Sequence, residues 1–260
     1  MVSGGVALRG RVNTDQRRAF DRDGFLIVRG LFSASEAHQQ SAWIDDLAAR
    51  PLEIAKQMTY FEDSLREPGR RVLSRIEKFA EFHPELGALA RCPQVVEPVA
   101  DLLGEAATLF KDKINFKLPG GGGFAPHQDI QPGWDAYASY FISVMIAIDP
   151  NTVENGCLEL AAARHARGLI GRRWAPLEGH ELDGVEFVAY PMAPGDAVFF
   201  DCFTPHQSKP NLTDRPRRNI YLTYNRASDG DRRARYFADK RKSYPPDFER
   251  DPTATYVFRV

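Results

Sequence analysis

The chain has 260 residues, of which 43% are hydrophobic, and its formal net charge is −1. These values predict one folded domain over residues 1–260 and exclude the charge pattern of a nucleic-acid-binding or membrane-surface protein. No apolar run reaches the length of a bilayer-spanning helix, so no membrane partner is expected.

The N-terminus and the cysteines favour a cytoplasmic location. The first residues lack the basic and apolar regions of a signal peptide. Cys92, Cys157 and Cys202 are scattered and form no CxxC pair. This usage is typical of reduced thiols and argues against both disulfides and a structural zinc site.

Helices dominate the predicted elements before residue 104. Ser33 and Glu36 form a capping box that starts one helix, and Pro51 ends it. Gly104 ends a later helix whose apolar residues recur at helical spacing. The other expected ranges are a weakly ordered segment at 1–12, a helix at 15–23, a strand at 25–29 and that later helix at 93–103.

From residue 107 the hydrophobic period changes from helical to strand-like. Helices followed by a run of strands predict a β-sandwich or jelly roll with helices packed on one sheet. Its core is expected at about 107–225, and the extension 226–260 is interpreted as a loop or short helix over the barrel, with no visible chemistry. The predicted strands are 107–118, 124–130, 140–149, 157–161, 185–190, 197–202 and 217–225.

A basic face runs along the first of these strands. Its alternate positions are Lys111, Lys113, Asn115 and Lys117, and the opposite face is mostly apolar. The lysines either face water on a half-exposed strand or look into the barrel if the apolar face packs under the N-terminal helices. Interior placement is the interpretation adopted for Asn115 and Lys117, and neither arrangement is preferred for the two lysines before them.

Two histidines and one carboxylate form a candidate metal site. His127 and Asp129 are two residues apart, so on a strand both side chains point to the same side. His206 follows on a distant strand. Two imidazoles and one carboxylate can occupy one face of Fe(II) and leave the opposite positions open. An isolated H-x-D triplet is also common by chance, so this pattern needs the context that follows.

Several segments together carry a family resemblance. They are FDRDGFLIV at 20–28, HQD at 127–129, ENGCLEL at 154–160, PGDAVFF at 194–200, and HQS at 206–208 followed by Asn211 and Arg217. With them, nearly the whole chain resembles the phytanoyl-CoA dioxygenase-like family of Fe(II)/2-oxoglutarate oxygenases. One turn departs from the family: Pro-Gly-Ser-His is replaced by AARH at 162–165, a structural position.

The resemblance implies a double-stranded β-helix and an iron site made of His127, Asp129 and His206. It also implies that Arg217, eleven residues beyond the second histidine, anchors the distal carboxylate of 2-oxoglutarate through paired hydrogen bonds. Asn219 then points to the same side as Arg217. The remaining expected contacts are Gln128, Asn115 and Lys117 with 2-oxoglutarate, and Lys111, Lys113, Trp134 and Tyr137 with substrate.

The predicted activity is hydroxylation of a C–H bond in a small polar, possibly anionic substrate, with Fe(II), 2-oxoglutarate and O2. The stretch 113–149 most resembles bacterial members that hydroxylate organophosphonates such as 2-aminoethylphosphonate. Natural-product tailoring by desaturation, epoxidation or ring formation is the alternative within the same chemistry. A non-catalytic jelly-roll module is the alternative from another class. The oligomeric state is not indicated.

Overall fold

Two antiparallel β-sheets and a layer of helices make up the computed structural model, which describes residues 11–257. The helices are α1 Thr14–Asp23, α2 Ala34–Ala49, α3 Pro84–Leu89, α4 Pro93–Leu103 and α5 Arg233–Ser243. The strands are β1 Phe25–Val28, β2 Met58–Asp63, β3 Arg71–Glu77, β4 Ala107–Lys117, β5 Phe124–His127, β6 Phe141–Ala147, β7 Glu159–Leu160, β8 Val188–Ala189, β9 Ala197–Asp201, β10 His206–Ser208 and β11 Arg217–Arg226. The predicted double-stranded β-helix with packed helices is confirmed.

The larger sheet has seven strands in the order β1-β9-β6-β11-β4-β3-β2. Its two faces differ because successive side chains of a strand point to opposite sides. On β4, Ile114 and Phe116 join the main hydrophobic cluster with residues of α2, α3 and α4. Lys113 and Asn115 therefore point to the other face, toward the interior of the barrel.

The smaller sheet has the order β5-β10-β7-β8 and closes the barrel. Leu158 and Leu160 from its side pack with Met145, Phe200 and Tyr221 of the larger sheet. In its register His206 of β10 lies directly opposite His127 of β5. The pairing of these two short strands therefore brings together histidines that are 79 positions apart in the sequence.

Helix boundaries follow from capping residues. Asn13 and Gln16 form a capping box at α1, and Ser33 with Glu36 does so at α2, as the sequence predicts. Gly104 ends α4 with φ of 79°, a conformation that glycine adopts without strain. No helix in the described range 11–257 is long and apolar enough to cross a bilayer.

The strand expected to carry His206 is β10, and the helix allowed for in the extension 226–260 is α5. The sequence prediction missed three other elements: β2, β3 and α3. The first two join the same sheet as the predicted strands, so the sheet extends beyond the expected core of 107–225. Strand β3 was missed because Arg75 and Glu77 are charged yet buried, which hides the usual alternation of polar and apolar residues. The predicted strands at 157–161 and 185–190 contain only the two-residue strands β7 and β8.

The weak order predicted for residues 1–12 falls mostly on residues 1–10, which lie outside the described residues. Val12 is described, and its backbone N–H donates to a carboxylate oxygen of Asp101 at 2.9 Å. Its side chain packs against the main hydrophobic cluster. The expectation of weak order is therefore wrong at Val12, which has a backbone partner and a packed side chain.

Candidate active site

Three buried side chains meet where β5 and β10 pair. His127 ends β5, Asp129 follows it by two residues, and His206 begins β10. One ligand atom from each lies within 4.8 Å of the other two, and none of the three residues is more than 7% exposed. The three side chains could therefore hold one metal ion.

Hydrogen bonds orient each of these side chains. Nδ1 of His127 lies 2.8 Å from the carbonyl oxygen of Ala125, and Nδ1 of His206 lies 3.0 Å from that of Thr204. A carbonyl oxygen only accepts, so each Nδ1 carries the proton and each Nε2 keeps its lone pair. Such a second contact fixes the tautomer of a metal-binding histidine.

The carboxylate of Asp129 is fixed in the same way. Ser143 donates to its Oδ2 at 2.5 Å, and Thr223 lies 3.0 Å from the Ser143 hydroxyl. The other oxygen, Oδ1, faces His206 Nε2 at 3.8 Å. One oxygen thus accepts a hydrogen bond while the other remains directed toward the two imidazoles.

The protonation states suit a metal. Burial lowers the pKa of both His127 and His206, so the imidazoles are neutral near pH 7. Burial also opposes ionisation of Asp129, but His206 and Lys113 outweigh it and the carboxyl pKa is lowered. Neutral imidazoles and an ionised carboxylate are the forms that bind a cation.

A cavity of about 270 Å³ opens beside the three side chains. Six residues named by the sequence analysis line it: His127, Asp129, Lys111, Lys113, Trp134 and Tyr137. The other lining residues were not foreseen, and they include Arg75 and Glu77 of β3 and Tyr236 and Lys240 of α5. The extension after residue 225 thus forms part of the cavity wall, whereas the sequence suggested no chemistry there.

The basic face of β4 is turned inward. Lys111, Asn115 and Lys117 are buried, and Lys113 is half-buried with its ammonium 4.7 Å from the ring centroid of Tyr221. The alternative of a lysine face in open water is therefore wrong. Burial, followed by the charge of Lys111, lowers the pKa of Lys113 to about 8.

A β-bulge changes the alternation at one end of β4. Lys111 pairs with Thr223 and Leu109 with Tyr224, so Phe110 is an extra residue. Phe110 consequently faces the same side as Lys111 and packs against Trp134 with ring centroids 5.5 Å apart. Strict alternation along β4 would instead turn Phe110 to the opposite, apolar face.

Arg217 and Lys117, here called the Arg217 pair, are direct partners across β11 and β4. Arg217 donates to the carbonyl of Gly156 at 2.7 Å, and Lys117 donates to Ser208 Oγ at 2.7 Å. Burial lowers the pKa of both, that of Lys117 to about 6. Neither forms a salt bridge with any residue of the described range, so this buried pair has no carboxylate partner.

The Arg217 pair sits behind the cavity rather than in its wall. Arg217, Lys117, Asn115 and Asn219 are not among the described residues that line the cavity. Asn219 exchanges amide hydrogen bonds with Asn151. The carbonyl of Gly156 that holds Arg217 was not foreseen, because an Asn-Gly pair signals only a turn in sequence.

Gln128 points away from the cavity. Its amide donates to the carbonyls of Gly168 and Phe203 at 2.8 and 2.6 Å, and its oxygen accepts from the N–H of Ile170 at 2.9 Å. These bonds tie the segment after residue 167 to the metal-site turn. The side-chain amide of Gln128 is thus hydrogen-bonded to backbone groups instead of making the expected contact with 2-oxoglutarate.

A family model described as phytanoyl-CoA dioxygenase matches residues 20–219. The chain belongs to the phytanoyl-CoA dioxygenase family. It is therefore a dioxygenase, and as a member it uses Fe(II), 2-oxoglutarate and O2. This confirms the family resemblance seen in the sequence.

Two curated relatives and one solved structure illustrate the relationship. A 2-aminoethylphosphonate dioxygenase from uncultured bacterium HF130_AEPn_1 is 35% identical, covering 91% of this chain and 90% of its own. A methylphosphonate hydroxylase from Gimesia maris is 36% identical, covering 86% and 85%. The structure of EctD from S. alaskensis with bound Fe is 25% identical with a TM-score of 0.69, covering 88% and 82%.

Proposed function

We propose that the protein is an Fe(II)/2-oxoglutarate-dependent dioxygenase that hydroxylates a C–H bond of a small organophosphonate. One observation carries the substrate class: the cavity beside His127 and Asp129 is small and lined by several cationic side chains. A low-dielectric pocket with surplus positive charge favours an anionic ligand. The names of the two curated relatives support the same class.

The roles of the metal-site residues follow from their contacts. His127 and His206 would bind Fe(II) through Nε2 and Asp129 through Oδ1, each held in place by the hydrogen bonds described above. When bound, the iron with 2-oxoglutarate and O2 supplies an oxidant that places one oxygen atom in the substrate and the other in succinate, with release of CO2. The protein then contributes orientation and exclusion of water.

Arg217 is proposed to hold the distal carboxylate of 2-oxoglutarate. Its support is a buried guanidinium whose Nε has no hydrogen-bond partner among the described residues. A carboxylate would satisfy that donor with charge-assisted bonds. Lys117, Asn115 and Asn219 line the same interior face and are proposed to assist it.

The other assigned side chains divide between substrate and scaffold. Lys111, Lys113, Trp134 and Tyr137 line the cavity and are proposed to contact substrate. Gln128 is proposed to position the loop after residue 167 instead of binding 2-oxoglutarate. The whole chain would act as one oxygenase domain, and its free Cys92, Cys157 and Cys202 support the proposed cytoplasmic location.

The test is coupled turnover. Purified protein with Fe(II), 2-oxoglutarate and O2 is offered 2-aminoethylphosphonate or methylphosphonate, and β-alanine serves as a carboxylate control. We expect succinate and a hydroxylated phosphonate, detected by ³¹P NMR, in equal amounts. Coupled turnover of the carboxylate with none of the phosphonates would contradict the substrate class. A product that gains no label from ¹⁸O₂ would indicate desaturation or ring formation instead.

A further inference from the structure

Three cationic side chains surround one buried carboxylate at the end of the cavity formed by β3, β4 and α5. We call Arg75, Glu77, Lys111 and Lys240 the Glu77 cluster, and all four line the cavity. Glu77 is 1% exposed and lies 3.0 Å from Arg75 Nε and 2.5 Å from Lys240 Nζ. Its carboxylate is thus already engaged by two of the three cations.

The third cation, Lys111, acts on Glu77 only through its charge and forms no direct ion pair with it among the described residues. Lys111 is 8% exposed, and none of the hydrogen bonds or salt bridges found within residues 11–257 involves its ammonium. That ammonium instead lies 5.1 Å from the ring centroid of Trp134 and 5.7 Å from that of Tyr236. Contacts with ring faces offset only part of the cost of burying an ammonium, so an anion that binds beside Lys111 would stabilise it further.

The charges of the cluster do not cancel. Three basic side chains face one carboxylate, which gives a formal surplus of two positive charges. The surrounding cations hold the pKa of Glu77 well below its usual range against the opposing effect of burial. Burial lowers the pKa of Lys240, and the Glu77 carboxylate opposes that shift, as a second anion would. A dianion would therefore complete the cluster.

The position of the cluster suits one end of a small substrate. Lys111 pairs with Thr223, which in turn pairs with Ser143, the residue that fixes Asp129. Two strand spacings separate Lys111 from Ser143, roughly 10 Å. Lys113, by contrast, acts electrostatically on Asp129 and both histidines. A ligand held at the cluster can thus extend a short carbon chain to the metal side.

We propose that the Glu77 cluster binds the phosphonate group of the substrate, with Arg75, Lys111 and Lys240 as donors and Glu77 as the residue that positions two of them. This inference rests on the proposed organophosphonate hydroxylase activity. A phosphonate, like a phosphate ester, offers three oxygens and up to two negative charges, which matches three donors and the surplus of two. Helix α5 is then a specificity element of the enzyme.

Helix α5 is held against the cavity by further contacts. Tyr236 packs on Phe110 with ring centroids 4.6 Å apart, and Tyr137 donates to Asp239 at 2.9 Å. The acidic Asp239 also lines the cavity, but it is exposed and engaged by that hydroxyl. Lys240 therefore reaches Glu77 from a helix whose placement depends on the aromatic wall of the same cavity.

The test compares Lys111→Met and Lys240→Met with Lys242→Met, which changes an exposed lysine of the same helix. Methionine keeps the length of the stem and removes the charge. We expect both cavity variants to raise KM for 2-aminoethylphosphonate by about tenfold or more, with KM for 2-oxoglutarate changed less than about twofold. Lys240→Arg should recover most of the loss, and Lys242→Met should match the wild type. Thermal melting of each variant checks the fold.

The outcomes separate this inference from the proposed function. If the wild type hydroxylates the phosphonate and both cavity variants match Lys242→Met, the inference is overturned and the activity stands. If KM for 2-oxoglutarate rises as much as KM for the phosphonate, the cluster serves the cosubstrate and the inference is again overturned. If the wild type oxidises no phosphonate, the proposed function fails and the inference with it.

Discussion

The Arg217 pair and the Glu77 cluster are both buried groups of basic side chains on β4 and its neighbours, yet they differ in their internal partners. Arg217 and Lys117 are held by neutral oxygens such as the carbonyl of Gly156 and the hydroxyl of Ser208. The Glu77 cluster contains its own carboxylate and opens to the cavity. A pair with only neutral partners is suited to one fixed anion, whereas a cluster with a built-in acid can orient its donors before a ligand arrives.

The largest loss of activity is expected from substitutions at the candidate iron site, because both proposed ligands react only at the metal. Asp129→Ala removes the only carboxylate of the candidate iron site, so succinate formation should fall by about a thousandfold or to background, because an open metal site needs all of its protein ligands. His127→Ala and His206→Ala should behave alike. Iron binding measured without O2 provides the check. A variant that retains wild-type turnover would remove that residue from the site.

The second test separates the two cationic sites by ligand. Arg217→Ala should raise KM for 2-oxoglutarate by at least about 30-fold, since loss of a buried charge-assisted contact costs about 2–5 kcal/mol. KM for the phosphonate should change little. Arg215 is exposed on the loop before β11, so Arg215→Ala is the control. Equal damage from the control would show that the wrong arginine had been assigned.

The third test uses pH to examine Lys113, which lies between the two sites. Burial lowers its pKa to about 8, so the ammonium is charged below that pH and neutral above it. We expect kcat/KM for the phosphonate to be level below pH 8 and to fall by up to about tenfold per unit above it. Lys113→Arg keeps the positive charge at all these pH values, so the decrease of kcat/KM above pH 8 should disappear in this variant. If kcat/KM still fell above pH 8 in this variant, the decrease would come from a titrating group other than Lys113.

The smallest expected effect concerns the support of α5. Tyr137→Phe deletes the hydrogen bond to Asp239 and keeps the ring packed on Phe110. A net loss of about 0.5–1.5 kcal/mol corresponds to a two- to tenfold rise in KM for the phosphonate. The same measurement on Asp239→Asn shows whether the bond or the charge matters. No change in either variant would mean that packing alone holds the helix.

Sequence reasoning reached the metal site through a local spacing and reached Arg217 through the family resemblance. His127 and Asp129 are two residues apart, and Arg217 is eleven residues past His206. The Glu77 cluster has no comparable signal, since its members come from β3, β4 and α5 and meet only in the folded chain. Buried charges on β3 also masked the strand itself. A site whose residues come from distant elements, such as the Glu77 cluster, could therefore not be predicted from the sequence alone.

The bulge at Phe110 sets which side chains of β4 share the space beside Trp134. One added residue lets two consecutive side chains, an aromatic ring and an ammonium, project into the same space, and it carries the ring against Trp134 and Tyr236 beneath Lys111. Without the bulge, consecutive side chains of β4 would alternate between the two faces of the sheet, so Phe110 and Lys111 would point in opposite directions. A one-residue deletion at this point of β4 would therefore separate the ring of Phe110 from the ammonium of Lys111.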